Sequence, residues 1–322
     1  MNDYKPEGML LKTQKNYEYV STKSGLERAL EKQAIIEAPV LLCDHNLNLH
    51  VEFTGGMRGI IPKDEVIYSQ DGEQVKDIAI LTRVGKPVCF KVIGFRMLPG
   101  GENIAILSRK AAQRECTENY LETLESGDII PAKVTHLESF GAFVDIGCGI
   151  ISLLSIDCIS VSRISHTKSR LNSGDFIYAV VRGKDEKGRI YVSTRELLGT
   201  WEENASKFCE GQTVRGIIRS IESYGIFVEL APNLAGLAEY KENVYPGQIA
   251  ASYIKSVIPD KMKIKLIIID TDDSPCQATP FNYYIDVDKV SHIDRWRYSP
   301  TGCKKVIETV FSNSTRDVIN IK

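Results

Sequence analysis

No two of the eight cysteines are spaced as a Cys-x-x-Cys pair; Cys43, Cys89, Cys116, Cys148, Cys158, Cys209, Cys276 and Cys303 are scattered singly. That excludes a zinc ribbon and a thioredoxin-type motif. Thiols set singly in apolar stretches suit a reducing cytoplasm. A long apolar run is also missing. The most apolar stretch, AIIEAPVLLC, is broken by Glu37 and Pro39, so no membrane span is expected. The first twenty residues hold no apolar core of signal-peptide length. Nor is one sign of charge in excess. The 40 Lys and Arg face 42 Asp and Glu, a net charge of −2. This excludes coating of nucleic acid by bulk charge and leaves room for local basic strips. A phosphate-binding Gly-x-x-x-x-Gly-Lys-Ser/Thr loop and a Gly-x-Ser-x-Gly elbow are both absent. His45, His50, His136, His166 and His292 stand apart, with no partner at metal-ligating spacing. No enzyme activity, cofactor or metal site is expected, and the protein should be soluble and cytoplasmic.

What the chain does have is repetition. Its 322 residues, 43% of them hydrophobic, suggest two to four compact units. ESFGAFVDI (138–146) recurs as ESYGIFVEL (222–230), 84 residues on. Upstream of each lies a segment of alternating apolar and polar residues, a strand buried on one side. Downstream lie a strand, a polar turn and a strand at 173–195 and again at 246–268. The same layout at 84–109 implies an earlier, degenerate copy, with its front half at 37–65. Short strands with Gly and Pro turns in roughly 70-residue repeats suit a five-stranded OB barrel.

The expected fold is therefore mainly β: tandem OB barrels joined by short helices, with a carboxy-terminal strand-helix extension. The expected domains are an amino-terminal extension with a short helix (1–36), a degenerate OB repeat (37–110), a helical linker (111–125), a second repeat (126–196), a second helical linker (197–208), a third repeat (209–270) and the extension (271–322). Thr200 and Glu203 in the second linker are spaced as a capping box. In the extension, YYIDV reads as a strand and CKKVIETVF as an amphipathic helix. HIDRWRYSP (292–300) reads either as a further stacking strip or as a Trp anchor on the third barrel.

The aromatics of the repeated string are three apart, whereas strand side chains alternate with period two. Ala142, Val144 and Ile146 suit a barrel interior, leaving Phe143 and Asp145 outside. A bulge at Gly141 would bring Phe140 to the same outer face. Tyr224 and Phe227 would meet likewise across Gly225. Buried core positions are the alternative for such rings, but the pattern occurs twice beside a basic hairpin. Flat rings beside cations are what an unpaired nucleic acid requires. The cations are Arg182, Lys184, Lys187 and Arg189 in the second repeat and Lys255, Lys261, Lys263 and Lys265 in the third. Lys133, Arg215 and Arg219 occupy outward parity on the first strands.

Phe140-Gly-Ala-Phe143-Val-Asp145 with Asp185-Glu-Lys-Gly-Arg189-Ile-Tyr-Val-Ser193, together with 225–237 and LLGTWEEN (197–204), resembles the bacterial ribosomal protein S-one family. The likeness is to its short members in low-GC Gram-positive bacteria and spans roughly 37–270. It implies tandem OB barrels that bind RNA without catalysis. By resemblance the RNA face holds Phe140, Phe143, Asp185 and Arg189, and in the third repeat Tyr224, Phe227, Asp260 and Lys263. The family's third-strand His is Ser155 in one repeat and Glu239 in the other. The expected function is sequence-tolerant binding of single-stranded RNA, such as messenger RNA, in translation, with the small ribosomal subunit as a further partner. A non-ribosomal RNA regulator or a protein-interaction scaffold is the alternative.

Overall fold

A computed structural model describes residues 4–54, 56–69, 76–98, 101, 103–274 and 281–311. Three closed five-stranded barrels follow one another along the chain. The first is built from β1 (Ile36–Cys43), β2 (Leu49–Glu52), β3 (Arg58–Ile61), β4 (Pro87–Met97) and β5 (Asn103–Ser108). The second uses β6 (Ile129–Leu137), β7 (Gly141–Asp145), β8 (Ile151–Ser155), β9 (Phe176–Lys184) and β10 (Ile190–Ser193). The third uses β11 (Thr213–Glu222), β12 (Gly225–Ala231), β13 (Leu234–Ala238), β14 (Ile249–Ile258) and β15 (Lys263–Asp272). In the first and third barrels the opening strand pairs with both the second and the fourth. In all three, closure comes from parallel pairing of the third and fifth strands. These are the OB barrels expected from the repeat.

The helices are short. α1 (Gln14–Val20) and α2 (Lys23–Glu31) precede the first barrel, and α3 (Asp77–Leu81) falls between its third and fourth strands in the chain. Thr13 and Thr22 cap the first two by accepting backbone N–H bonds. α4 (Arg109–Cys116) follows the first barrel and α5 (Trp201–Ala205) follows the second. At α5 the capping box forms: Thr200 accepts from the Glu203 N–H at 3.2 Å, and Glu203 accepts from the Thr200 N–H at 2.7 Å. No helix among the described residues is long and apolar enough to cross a membrane.

The carboxy-terminal expectation fails in part. Residues 283–287 (YYIDV) form no strand, and Glu308–Val310 is a strand, β17, not a helix. It pairs antiparallel with β16 (Arg295–Arg297). Three-residue pairing with Arg295–Arg297 satisfies the backbone that a short exposed helix would leave to water. Trp296 and Tyr298 are buried in the third barrel's apolar cluster, and the Tyr298 hydroxyl donates to the Asn233 carbonyl at 2.5 Å. HIDRWRYSP is thus the anchor, not a stacking strip. Cys276 lies outside the described residues.

The chain divides into two compact units. One holds the amino-terminal helices, the first barrel and α4, together with Pro131–Lys133 and Asp145–Ile151. Its centre is charged. Arg109 Nε donates to Glu7 at 2.6 Å, and the Glu7 N–H donates to Asp145 at 2.7 Å. Asp145 also accepts the Gly147 and Gly149 N–H groups. Asp145 is buried there, not outward as strand parity suggests. Burial pushes the nearby Glu37 carboxyl up to about 7, and Glu7 adds to the rise. The folded state therefore holds the Glu37 proton more tightly than the unfolded chain does. The associated stability is full below the ordinary carboxylate range and is lost as pH rises through about 7. Denaturant melts of the wild type are expected to show a lower midpoint at pH 8 than at pH 5, and Glu37→Gln should flatten that slope.

Candidate nucleic-acid interface

In the other unit, the β11–β12 register pairs Glu222 with Gly225. Ser223 and Tyr224 are thus the two residues of a tight hairpin turn. Tyr224 projects from the turn, and Phe227 stands outward on the strand that follows. The expected bulge at the glycine is absent; the β11 irregularity lies between Ile218 and Ser220. What Gly225 provides is room. A Cβ there would meet the Ala238 carbonyl oxygen at 2.5 Å, and its φ is +146°, a conformation that strongly favours glycine. A Cβ at Gly141 would meet the Leu154 carbonyl oxygen at 2.7 Å. In both hairpins a neighbouring strand passes directly under the glycine and lets the turn aromatic fold beside the strand aromatic.

The two ring pairs match closely. Phe140 and Phe143 lie 6.1 Å apart at 86°, and Tyr224 and Phe227 lie 6.1 Å apart at 89°. Both are edge-to-face arrangements, the geometry aromatic quadrupoles favour. Phe140 is 55% exposed and Tyr224 68%, whereas Phe143 and Phe227 are half-buried. The half-buried ring fixes the exposed one, whose free face is open to a flat partner.

Around each pair the barrel surface continues in register. Leu237 lies opposite Phe227, and Lys265 beside Leu237. In the second barrel Leu153 pairs with Tyr191, and His136 stacks on Phe143 at 6.4 Å. Sequence reasoning missed His136, Leu153, Tyr191 and Leu237 as site residues. The outward parity of Tyr191 was the available signal; the packing of Leu153 against Gly141 and of Leu237 against Gly225 had none.

The charged candidates divide. Asp185 accepts the Lys187 and Arg189 N–H groups, the Arg189 guanidinium at 2.7 Å and the Tyr191 hydroxyl at 3.2 Å. Burial pushes its carboxyl up, but the bonds from Arg189 and Lys187 outweigh this and hold it below the usual carboxylate range. Asp185 thereby holds Arg189 and Tyr191 beside one hairpin, with Lys184 exposed next to it. Arg182 is exposed and donates to the Cys158 sulfur at 3.0 Å. Lys263 and Asp260 are exposed in the third barrel's last hairpin, and Lys255 pairs with Glu239 at 3.0 Å. Two expectations are corrected. Lys133 is turned away from the rings; its ammonium donates to the Glu7 carbonyl at 2.7 Å. Arg219 is not an open cation. It forks onto Glu229 at 2.7 and 3.1 Å, an acceptor on the same sheet.

Among the described residues the first barrel offers no such pair. Its β1–β2 turn is organised by Asp44, which accepts from Asn46, Asn48 and His50. Bonds from Asn48 hold that carboxyl well below its usual range. Among the described residues no cluster of His, Cys, Asp and Glu is arranged to hold a metal ion.

Residues 123–195 match the S1 RNA binding domain family. The chain is 28% identical over 240 residues to small ribosomal subunit protein bS1 of Rhizobium meliloti, covering 69% of this chain and 41% of that protein. It is 29% identical over 251 residues to bS1 of Staphylococcus aureus, covering 74% and 59%. For bS1 of Staphylococcus haemolyticus the figures are 28% over 295 residues, 83% and 70%. The chain thus spans less than two thirds of the length of the first two.

Proposed function

We propose that this chain, whose residues 123–195 match the S1 RNA binding domain family and which resembles bS1 proteins over most of its length, is a member of the S1-domain family and binds single-stranded RNA by base stacking. The observation that carries this reading is the pair of matched, half-anchored ring pairs, Phe140–Phe143 and Tyr224–Phe227. Each stacked base contributes about 1–3 kcal/mol whatever its identity, so recognition tolerates sequence. Arg189, Lys184 and Lys263 lie on the hairpins beside the rings and meet the phosphates. The Lys255–Glu239 pair makes the third barrel the weaker of the two. The reading includes no catalysis, treats 37–110, 126–196 and 209–270 as separate domains, and places the chain in translation, with messenger RNA and the small ribosomal subunit as partners. The first barrel, with Leu41 and Leu42 exposed on β1, serves protein contact in this scheme.

Fluorescence titration with an unstructured RNA and with a duplex of the same length tests the proposal. The single strand should bind at least tenfold more tightly, because pairing hides the base faces. Its affinity should fall roughly 5–20-fold between 50 and 200 mM salt, for two or three phosphate contacts. Equal or stronger binding of the duplex would contradict stacking.

A further inference from the structure

We infer that the second and third barrels form one fixed body, in which the two ring pairs lie on a single continuous track for one RNA strand. The inference rests on the stacking function proposed above and specifies how the two faces work together.

The joint between the two barrels runs through Glu229. It lies two residues beyond Phe227 on β12 and therefore on the same outward side, about 6.6 Å further along the strand. This outer position is nonetheless buried. What covers it is Arg170, from the β8–β9 connection of the second barrel, whose guanidinium bonds Glu229. Arg219 grips the same carboxylate from the irregularity in β11.

The connection that carries Arg170 leads back to the other ring pair. The Thr167 hydroxyl donates to the Glu138 carbonyl at 2.8 Å. Glu138 closes the hairpin that presents Phe140, its N–H donating to the Gly141 carbonyl at 2.9 Å. Phe140 and Phe227 are thus linked by an unbroken run of contacts through Glu138, the buried Thr167 and Arg170, and Glu229.

A second set of bonds keeps the seam from hinging. Asn233, at the β12–β13 turn of the third barrel, is fully buried. Its side chain accepts the Val161 N–H at 2.9 Å and donates to the Arg195 and Gly199 carbonyls at 2.8 and 2.9 Å. The Ser162 N–H donates to the Pro232 carbonyl at 3.1 Å. A joint in which the Asn233 amide uses both its donors and its oxygen is a lock, not a linker. Two sites on a locked body act on one strand with a high effective concentration, and no chain entropy is spent in bringing them together.

Binding of oligouridylates of about 6 and about 16 nucleotides, lengths chosen to fill one barrel and both, tests the inference on the full-length chain. The wild type should bind the longer one about 100-fold more tightly, within the range that linked sites reach. Arg170→Ala leaves Glu229 its Arg219 partner; Asn233→Ser loosens the second lock. Each variant should leave affinity for the short oligomer unchanged and cut the length advantage about tenfold. NMR relaxation should report faster independent tumbling of the two barrels in each. A length advantage that survives once the barrels tumble independently would overturn the inference, as would its absence in the wild type or rigid tumbling retained in both variants. Loss of stacking itself would show differently, as failure of the short oligomer to bind or as its indifference to Phe143→Ala.

Discussion

Joint replacement of Phe143 and Phe227 by alanine is expected to weaken binding of an unstructured RNA by roughly 30-fold to 10⁴-fold. Two stacked bases are lost, each worth about 1–3 kcal/mol. The rings stand outside the barrels, while Ala142, Val144, Ile226 and Val228 fill the interiors, so folding should persist. Each strand ring also holds its exposed neighbour edge-to-face. Removing it frees Phe140 or Tyr224 to turn, and the loss should exceed that from replacing the exposed ring alone. Anisotropy titration measures the effect, with far-ultraviolet circular dichroism to confirm the fold. A change below threefold in a folded double variant would remove stacking from the mechanism.

Arg109→Leu is expected to have the largest effect on stability. Arg109 is 2% exposed and bonds Glu7, the Val66 carbonyl and the Gly149 carbonyl. Leucine would leave the buried Glu7 and Asp145 carboxylates without that cation. Breaking a buried charge pair from one side costs about 3–5 kcal/mol, or roughly 10–20 °C in the melting transition of a unit this size. Since Asp145 is already pushed up to about 7 by burial and by Glu7, the variant should recover part of its stability at pH 5, where Asp145 takes up a proton. Calorimetry at pH 5 and pH 8 measures both effects. A transition that falls by less than 3 °C at pH 8 would contradict the role given to the arginine.

The repeat made much of this fold legible. An offset of 84 residues carries the paired rings, the glycine between them and the strand alternation, all of which are local in sequence. The same locality explains the correct reading of Thr200 and Glu203. Contacts made at long range were not legible. Lys133 and Asp145 have outward parity on their strands, yet the amino-terminal segment lies over them and Glu7 takes both. Arg219 looked open because neither Arg170 nor Glu229 is near it in sequence. The bulge assigned to Gly141 and Gly225 followed from placing Phe140 and Tyr224 within a strand. Once Tyr224 belongs to the turn, Phe227 keeps its outward parity with no bulge at Gly225. In the tail, a few apolar residues at helical spacing were outweighed by a strand partner, Arg295–Arg297, more than ten residues upstream.

The rings themselves supply the decisive readout. In protein labelled at Phe and Tyr, the aromatic resonances of Phe140, Phe143, Tyr224 and Phe227 should shift upfield as an unstructured RNA is added, because a base stacked on a ring shields it. Resonances of Phe53 and Phe90, packed together inside the first barrel at 6.0 Å, should stay in place. If the RNA binds while the four outer rings keep their shifts, the nucleobases sit elsewhere and the stacking interface is wrong.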